Sequence, residues 1–113
     1  MKKLLSYLLF LTIVFVKAQN DNCSGAIPLT VGTDFASGAV NSTNLNATTD
    51  GPLPTCNPDA IENVWFKVVV PASGNIKIAT GEVSGSLFSE SVVTVYSGTC
   101  GALTEITCND QSL

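Results

Sequence analysis

The stretch that decides the fold is Asn63-Val-Trp-Phe-Lys-Val-Val-Val-Pro-Ala-Ser-Gly-Asn-Ile-Lys-Ile-Ala-Thr80. Its first part alternates with the period of two that a pleated strand imposes, so that one face collects Val64, Phe66, Val68 and Val70. Its last part alternates in the same way around Ile76 and Ile78. Pro71 and Gly74 suit a tight turn between the two parts, because proline presets φ and glycine tolerates a positive φ. The stretch therefore predicts an antiparallel hairpin.

Further strands are predicted on both sides of this hairpin, and no segment shows a sustained helical period. Residues 27–32 indicate an edge strand, since Pro28 cannot donate to a ladder. Residues 34–40 form a second, weaker candidate, and residues 92–96 and 103–107 complete the set. The class is all-β, an antiparallel β-sandwich of jelly-roll type. About six strands can be counted where a closed sandwich needs seven or more, so we expect a sandwich that is incomplete at its C-terminus.

Residues 41–62 are rich in Asn, Thr, Pro and Asp and carry no periodicity. This composition predicts a long surface loop. Loops of that length are uncommon unless they are functional or tied down, and Cys56 would supply the tie.

The N-terminus predicts a secretory signal peptide over residues 1–18. Lys2 and Lys3 precede an apolar run from Leu4 to Val16, and Ala18 ends a cleavage site. An uncleaved membrane anchor is the alternative, but the run is about 13 residues against the roughly 20 that a bilayer span needs. Residues 19–113 then form one exported module with no membrane span.

The exported part is strongly acidic. Lys67 and Lys77 are its only cationic side chains against nine acidic ones, which leaves a net charge of −7. Nucleic acid is therefore excluded as a partner, because nothing would neutralise its phosphates. The same surface leaves room for a hard cation such as calcium.

Four cysteines, Cys23, Cys56, Cys100 and Cys108, lie in the exported part, where disulfides persist. Three pairings are open. Proximity in the sequence favours Cys23 with Cys56 and Cys100 with Cys108. A four-thiolate zinc site is the alternative, but it requires two closely spaced pairs and only one short spacing exists.

The inventory of side chains argues against catalysis. The sequence contains no histidine, which excludes Ser-His-Asp and Cys-His nucleophiles and any histidine-ligated zinc. Paired carboxylates stay formally open, but none of the nine acids sits in a recognisable motif. We therefore expect a protein that is not an enzyme.

A family resemblance enters through the order of four motifs: Asn20-Asp-Asn-Cys-Ser, Val64-Trp-Phe-Lys-Val, Pro71-Ala-Ser-Gly, and Val95-Tyr-Ser-Gly-Thr-Cys-Gly-Ala-Leu-Thr-Glu-Ile-Thr-Cys-Asn-Asp. Together they resemble the bacterial pre-peptidase C-terminal type of β-sandwich domain. The likeness is to the variant found in secreted and cell-surface proteins that use type IX secretion. The resemblance implies a non-catalytic accessory module, and some such modules bind calcium.

The candidate calcium ligands are Glu90, Asn109 and Asp110, whose hard oxygens would lie on loops at one end of the sheet. Glu90 stands where the family usually has Asp, and Gln111 follows Asp110 where a further Asp is usual; both departures weaken an inherited site. The alternative is that Asn109 and Asp110 form a polar turn while Glu90 is solvated.

Trp65 and Tyr96 are the candidate ligand-binding residues. Flat aromatic faces stack on sugar rings while their polar tips reach water, although such residues more often cap a core. The expected partners are a polysaccharide or a cell-surface protein, together with other domains of the same polypeptide.

Two hypotheses for function follow. The first is a secreted or cell-surface accessory module that acts as a spacer, stabiliser or adhesive element. The alternative is the N-terminal part of an exported protease or glycosidase whose catalytic domain lies beyond residue 113.

Overall fold

The computed structural model describes residues 18–87 and 90–112, and the regular structure in these residues is mostly strand. The strands are β1 (Ile27–Leu29), β2 (Phe66–Val68), β3 (Glu90–Thr99) and β4 (Ala102–Ser112). A 3-10 turn over Cys23–Gly25 and one α-helical turn, α1 (Phe35–Gly38), are the helical elements of the described part. The all-β class is confirmed, and the described strands do not close into a barrel. The predicted signal peptide lies outside the described residues except for Ala18.

The central stretch keeps its turn but not its predicted hairpin. Gly74 donates its backbone N–H to the Pro71 carbonyl at 2.9 Å and has a φ of 76°, as the turn prediction required. Residues 75–80, however, carry no strand, and β2 pairs in parallel with β1 through Ile27 opposite Phe66. The antiparallel pairing was wrong because a period of two shows that a segment is extended without showing its partner.

The predicted strand over residues 34–40 is also wrong, since α1 occupies its centre. Asp34 caps this turn: its carboxylate accepts from the Ser37 backbone N–H at 2.8 Å, while the Ser37 hydroxyl accepts from the Asp34 N–H at 3.3 Å. The backbone hydrogen bond from Ser37 lowers the pKa of Asp34 below its usual value. The Asp-x-x-Ser spacing is a reciprocal cap, and it outweighs the weak strand pattern.

The longest regular element is the antiparallel β3–β4 hairpin, which turns at Cys100 and Gly101. It confirms the strands predicted at 92–96 and 103–107 and extends both of them. A bulge between Val95 and Tyr96 leaves Ile106 as the extra residue, and Tyr96 then lies opposite Glu105. Residues 91–96 are half-buried on both faces, as expected for a strand covered on two sides.

All four cysteines form disulfides, as predicted, but the preferred pairing was wrong. Cys23 joins Cys100 and Cys56 joins Cys108, with Cα separations of 5.8 and 5.7 Å. Cys100 lies at the tip of the hairpin and Cys108 lies within β4. The rise of about 3.4 Å per residue along β4 places these two residues roughly 20 Å apart, too far for a disulfide.

The hairpin lies between two irregular segments. The predicted loop, residues 41–62, has no helix or strand and covers one face, where Thr55, Cys56 and Asn57 meet Glu105, Cys108 and Asp110. Residues 70–80 border the other face across a groove of about 640 Å³. In the described part, the buried hydrophobic side chains are Ala18 and Ala47, which are 8% and 7% exposed. No helix within that part is long and apolar enough to span a bilayer.

Candidate functional site

The two aromatic residues singled out from the sequence meet in the structure. Trp65 immediately precedes β2 and Tyr96 lies in β3, and their ring centroids are 5.9 Å apart with planes tilted by 38°. The Tyr96 hydroxyl donates to the Pro52 carbonyl at 3.2 Å. Both side chains are half-buried, so this pair joins two distant parts of the chain and still keeps part of its surface open.

The loop at Gly51 and Pro52 holds this pair in place. Gly51 has a φ of 82°, and a Cβ added there would come within 2.6 Å of Trp65 Cζ2. The backbone therefore packs directly against the indole ring, and only glycine allows that approach. Trp65 Nε1 is buried and has no hydrogen-bond partner in the described structure. The indole N–H thus points into the protein, whereas the platform hypothesis expected it to reach water.

The surroundings of Tyr96 also change its acidity. Burial raises the pKa of Tyr96 above its ordinary value of 10.0, and the negative charge of Glu105 adds to the shift. Both effects disfavour the phenolate. Tyr96 therefore stays neutral at physiological pH and serves as a hydrogen-bond donor.

The three candidate calcium ligands are not gathered by the structure. Asn109 and Asp110 lie inside β4 and not on a loop, opposite Val93 and Val92 respectively. Because successive side chains of a strand alternate, Asp110 and Glu90 share one face and Asn109 lies on the other. Asn57 Nδ2 donates to Asp110 Oδ2 at 3.1 Å. The described residues contain no cluster of three His, Cys, Asp or Glu side chains placed to hold a metal ion.

Sequence reasoning assigned no structural role to the most buried polar residues of the described part. Asn20 is 1% exposed and Asp21 is 5% exposed. Asn20 Nδ2 donates to the Trp65 carbonyl at 2.8 Å, and the Trp65 N–H donates to the Asn20 carbonyl at 2.9 Å. Asp21 accepts from the backbone and hydroxyl of Thr48 at 2.5 to 3.1 Å. The Asn20-Asp-Asn-Cys motif was the only sequence feature that could have pointed to these two residues.

A cleft opens beside the Cys23–Cys100 disulfide, next to the aromatic pair. It encloses about 580 Å³ between the Cys23–Gly25 turn, the loop at Asp50 to Pro52 and the tip of the hairpin. Its walls are mixed in character: Asn22, Ser24 and Asp50 are polar, whereas Pro52 and Leu103 are apolar. Asp50 is fixed by accepting from the Cys23 N–H at 2.8 Å.

Comparison with protein families identifies the fold that this geometry belongs to. A family described as galactose-binding domain-like, and associated with type IX secretion, matches residues 19–113. The chain is a galactose-binding-like domain of that family. Comparisons with curated proteins and with solved structures find no match.

Membership of this family confirms the resemblance drawn from the motifs, in its all-β fold and in its link to type IX secretion. A galactose-binding-like domain is a binding module and not a catalytic fold. The Asn20 motif now has a structural role in this galactose-binding-like domain, because it anchors Trp65 beside the loop and the cleft.

Proposed function

We propose that this chain is a secreted, non-catalytic accessory module of a larger exported bacterial protein, where it acts as a spacer, stabilising or adhesive element at the cell surface. The family match over residues 19–113 carries the proposal, since it links the chain both to a binding fold and to an export system. The two disulfides support it, because such bonds persist outside the cytoplasm.

The ligand that suits the exposed surface best is a polysaccharide. Trp65 and Tyr96 supply aromatic area, and the neighbouring cleft supplies Asn22, Ser24 and Asp50 as hydrogen-bonding groups for hydroxyls. This candidate binding surface has two parts, the aromatic pair and the cleft, which lie on either side of the Gly51–Pro52 loop. A sugar that occupies the cleft would therefore alter the environment of the indole through that loop.

A fluorescence titration tests this ligand class. Trp65 is the only tryptophan of the chain, so its emission reports directly on the site. We expect a saturable change in emission with a panel of polysaccharides, weaker binding in Tyr96→Leu, and near-normal binding in Tyr96→Phe, which keeps the ring. An emission that stays flat across the panel would argue for a protein partner or a purely structural role.

The parent polypeptide distinguishes an accessory module from the front part of an exported hydrolase. Sequencing the gene beyond the codon of Leu113 would show either a protease or glycosidase motif or repeated modules with a sorting domain. Protease treatment of intact cells, followed by immunodetection, tests surface location. Protection of the module from external protease would contradict that location.

A further inference from the structure

The β3–β4 hairpin is attached to the rest of the described structure through side chains and not through a backbone ladder. Among the described residues, its strands form ladders only with each other. It meets residues 18–80, here called the N-terminal segment, through the two disulfides, the Trp65–Tyr96 contact and a few side-chain hydrogen bonds. These bonds are exposed; they join Glu105 to Thr55, Cys108 to Cys56, Asp110 to Asn57, Tyr96 to Pro52 and Ser91 to Thr80.

Apolar packing between the hairpin and the N-terminal segment is shallow, since residues 91–96 are half-buried and none of them is fully buried. The buried hydrophobic side chains of the described part, Ala18 and Ala47, both belong to the N-terminal segment. Exposed hydrogen bonds contribute little, because water competes for both partners. The disulfides span 77 and 52 residues of sequence, and cross-links over such distances remove much of the freedom of the open chain.

The two disulfides flank the aromatic contact. Cys100 lies four residues beyond Tyr96, and Cys108 lies opposite Thr94, the preceding residue on the same face of β3. Trp65 is fixed in the N-terminal segment, where its backbone bonds to Asn20 and Ile27. The 5.9 Å separation of the rings therefore depends on the position of the hairpin, which the two disulfides restrict.

We propose that the Trp65–Tyr96 junction forms only when the two disulfides close, so that the hairpin is undocked in the reduced chain and docks after export. Closure occurs by exchange with a small disulfide oxidant such as glutathione disulfide. For each bond, two cysteine thiols give up two protons and two electrons, and the oxidant leaves as two thiols. The role of export in this inference rests on the proposed function; the docking step itself does not.

Energy transfer from tyrosine to tryptophan tests the docking step. In the full chain carrying Tyr7→Phe, Tyr96 is the only tyrosine and Trp65 the only tryptophan. Their rings are 5.9 Å apart in the docked state, whereas an unfolded segment of that length would separate them by about 30 Å. We expect transfer to fall several-fold when dithiothreitol frees all four thiols and to recover in a glutathione redox buffer.

Two variants make the test specific. Cys56→Ser with Cys108→Ser removes the disulfide nearest to Tyr96 and should lower transfer without any reductant. Asn57→Ala removes a neighbouring hydrogen bond, leaves both disulfides and should keep transfer unchanged. Full transfer with four free thiols, or its loss in Asn57→Ala, would overturn the inference. Failure of polysaccharide binding in an oxidised chain that retains transfer would count against the proposed function alone.

Discussion

Residues 18–68 and the β3–β4 hairpin differ in the kind of hydrogen bond that stabilises each region internally. The hairpin has a backbone ladder of ten residue pairs, interrupted by one bulge. Residues 18–68 contain only two three-residue strands and depend on buried side chains that bond to distant backbone, above all Asn20 and Asp21. Side-chain substitutions should therefore be costly in the first region and mild in the second.

Asn20→Ala should have the largest effect among single substitutions. It removes the donor to the Trp65 carbonyl from a site that is 1% exposed, and it should lower the free energy of unfolding by about 2–3 kcal/mol. Urea denaturation followed by Trp65 fluorescence measures this change. Asn22→Ala is the matched control, since Asn22 is exposed and makes no side-chain cap. Equal losses in the two variants would contradict the role assigned to the buried Asn20 amide.

The same substitution, threonine to valine, can be made in both regions, at Thr48 and at Thr107. This comparison tests whether side-chain changes cost more in residues 18–68 than in the hairpin. Thr48 donates its hydroxyl to the buried Asp21 carboxylate, so its loss should cost about 1–2 kcal/mol. Thr107 is exposed on the hairpin, where valine favours the strand, and its substitution should be neutral within about 0.5 kcal/mol. Thermal melts of both variants give the comparison, and a larger loss in Thr107→Val would refute it.

The stability that Tyr96 contributes at the junction between the two regions should fall at alkaline pH. The folded-state pKa of Tyr96 is raised above the ordinary value of 10.0, so the folded state favours the neutral phenol. The associated stability is present below pH 10 and is lost as pH rises through the folded-state pKa. Phenolate absorbance should show a higher midpoint in the native protein than in urea. Coincident midpoints would contradict the burial of Tyr96.

Removal of calcium should have the smallest effect. Asp110 shares a face with Glu90 while Asn109 lies on the other face, and Asp110 already accepts from Asn57. We expect the melting temperature to stay the same when a chelator replaces added calcium. A lower midpoint that recovers with calcium, and that is absent in Asp110→Asn, would instead establish a site on the hairpin.

Several local features were predictable because their cause lies within a few residues. The strand at residues 92–96 follows from apolar side chains on both faces, and the turn at Pro71 and Gly74 follows from the φ preferences of those two residues. Pro28 was correctly placed in a short edge strand. Asp34 shows the limit of such reasoning: its capping pattern with Ser37 was present, but the strand pattern was preferred.

The contact between the two candidate ligand-binding residues was not predictable from the sequence, and their binding role stays a prediction. Trp65 and Tyr96 were named from their chemistry, yet they meet beside Gly51 and near the disulfide at Cys108, neither of which adjoins them in sequence. The burial of Asn20 was missed because nothing within the motif itself identifies the Trp65 backbone as its partner.

By itself the sequence determined the all-β class, the acidic character of the module, the participation of every cysteine in a disulfide and the family to which the chain belongs. Only the tertiary structure decided the parallel pairing of β1 with β2, the pairing of the four cysteines and the burial of Asn20 and Asp21. The physical reason is the distance along the sequence over which each effect acts. Alternation and turn preferences act over two to four residues, whereas each of these outcomes depends on which distant segments come within bonding distance.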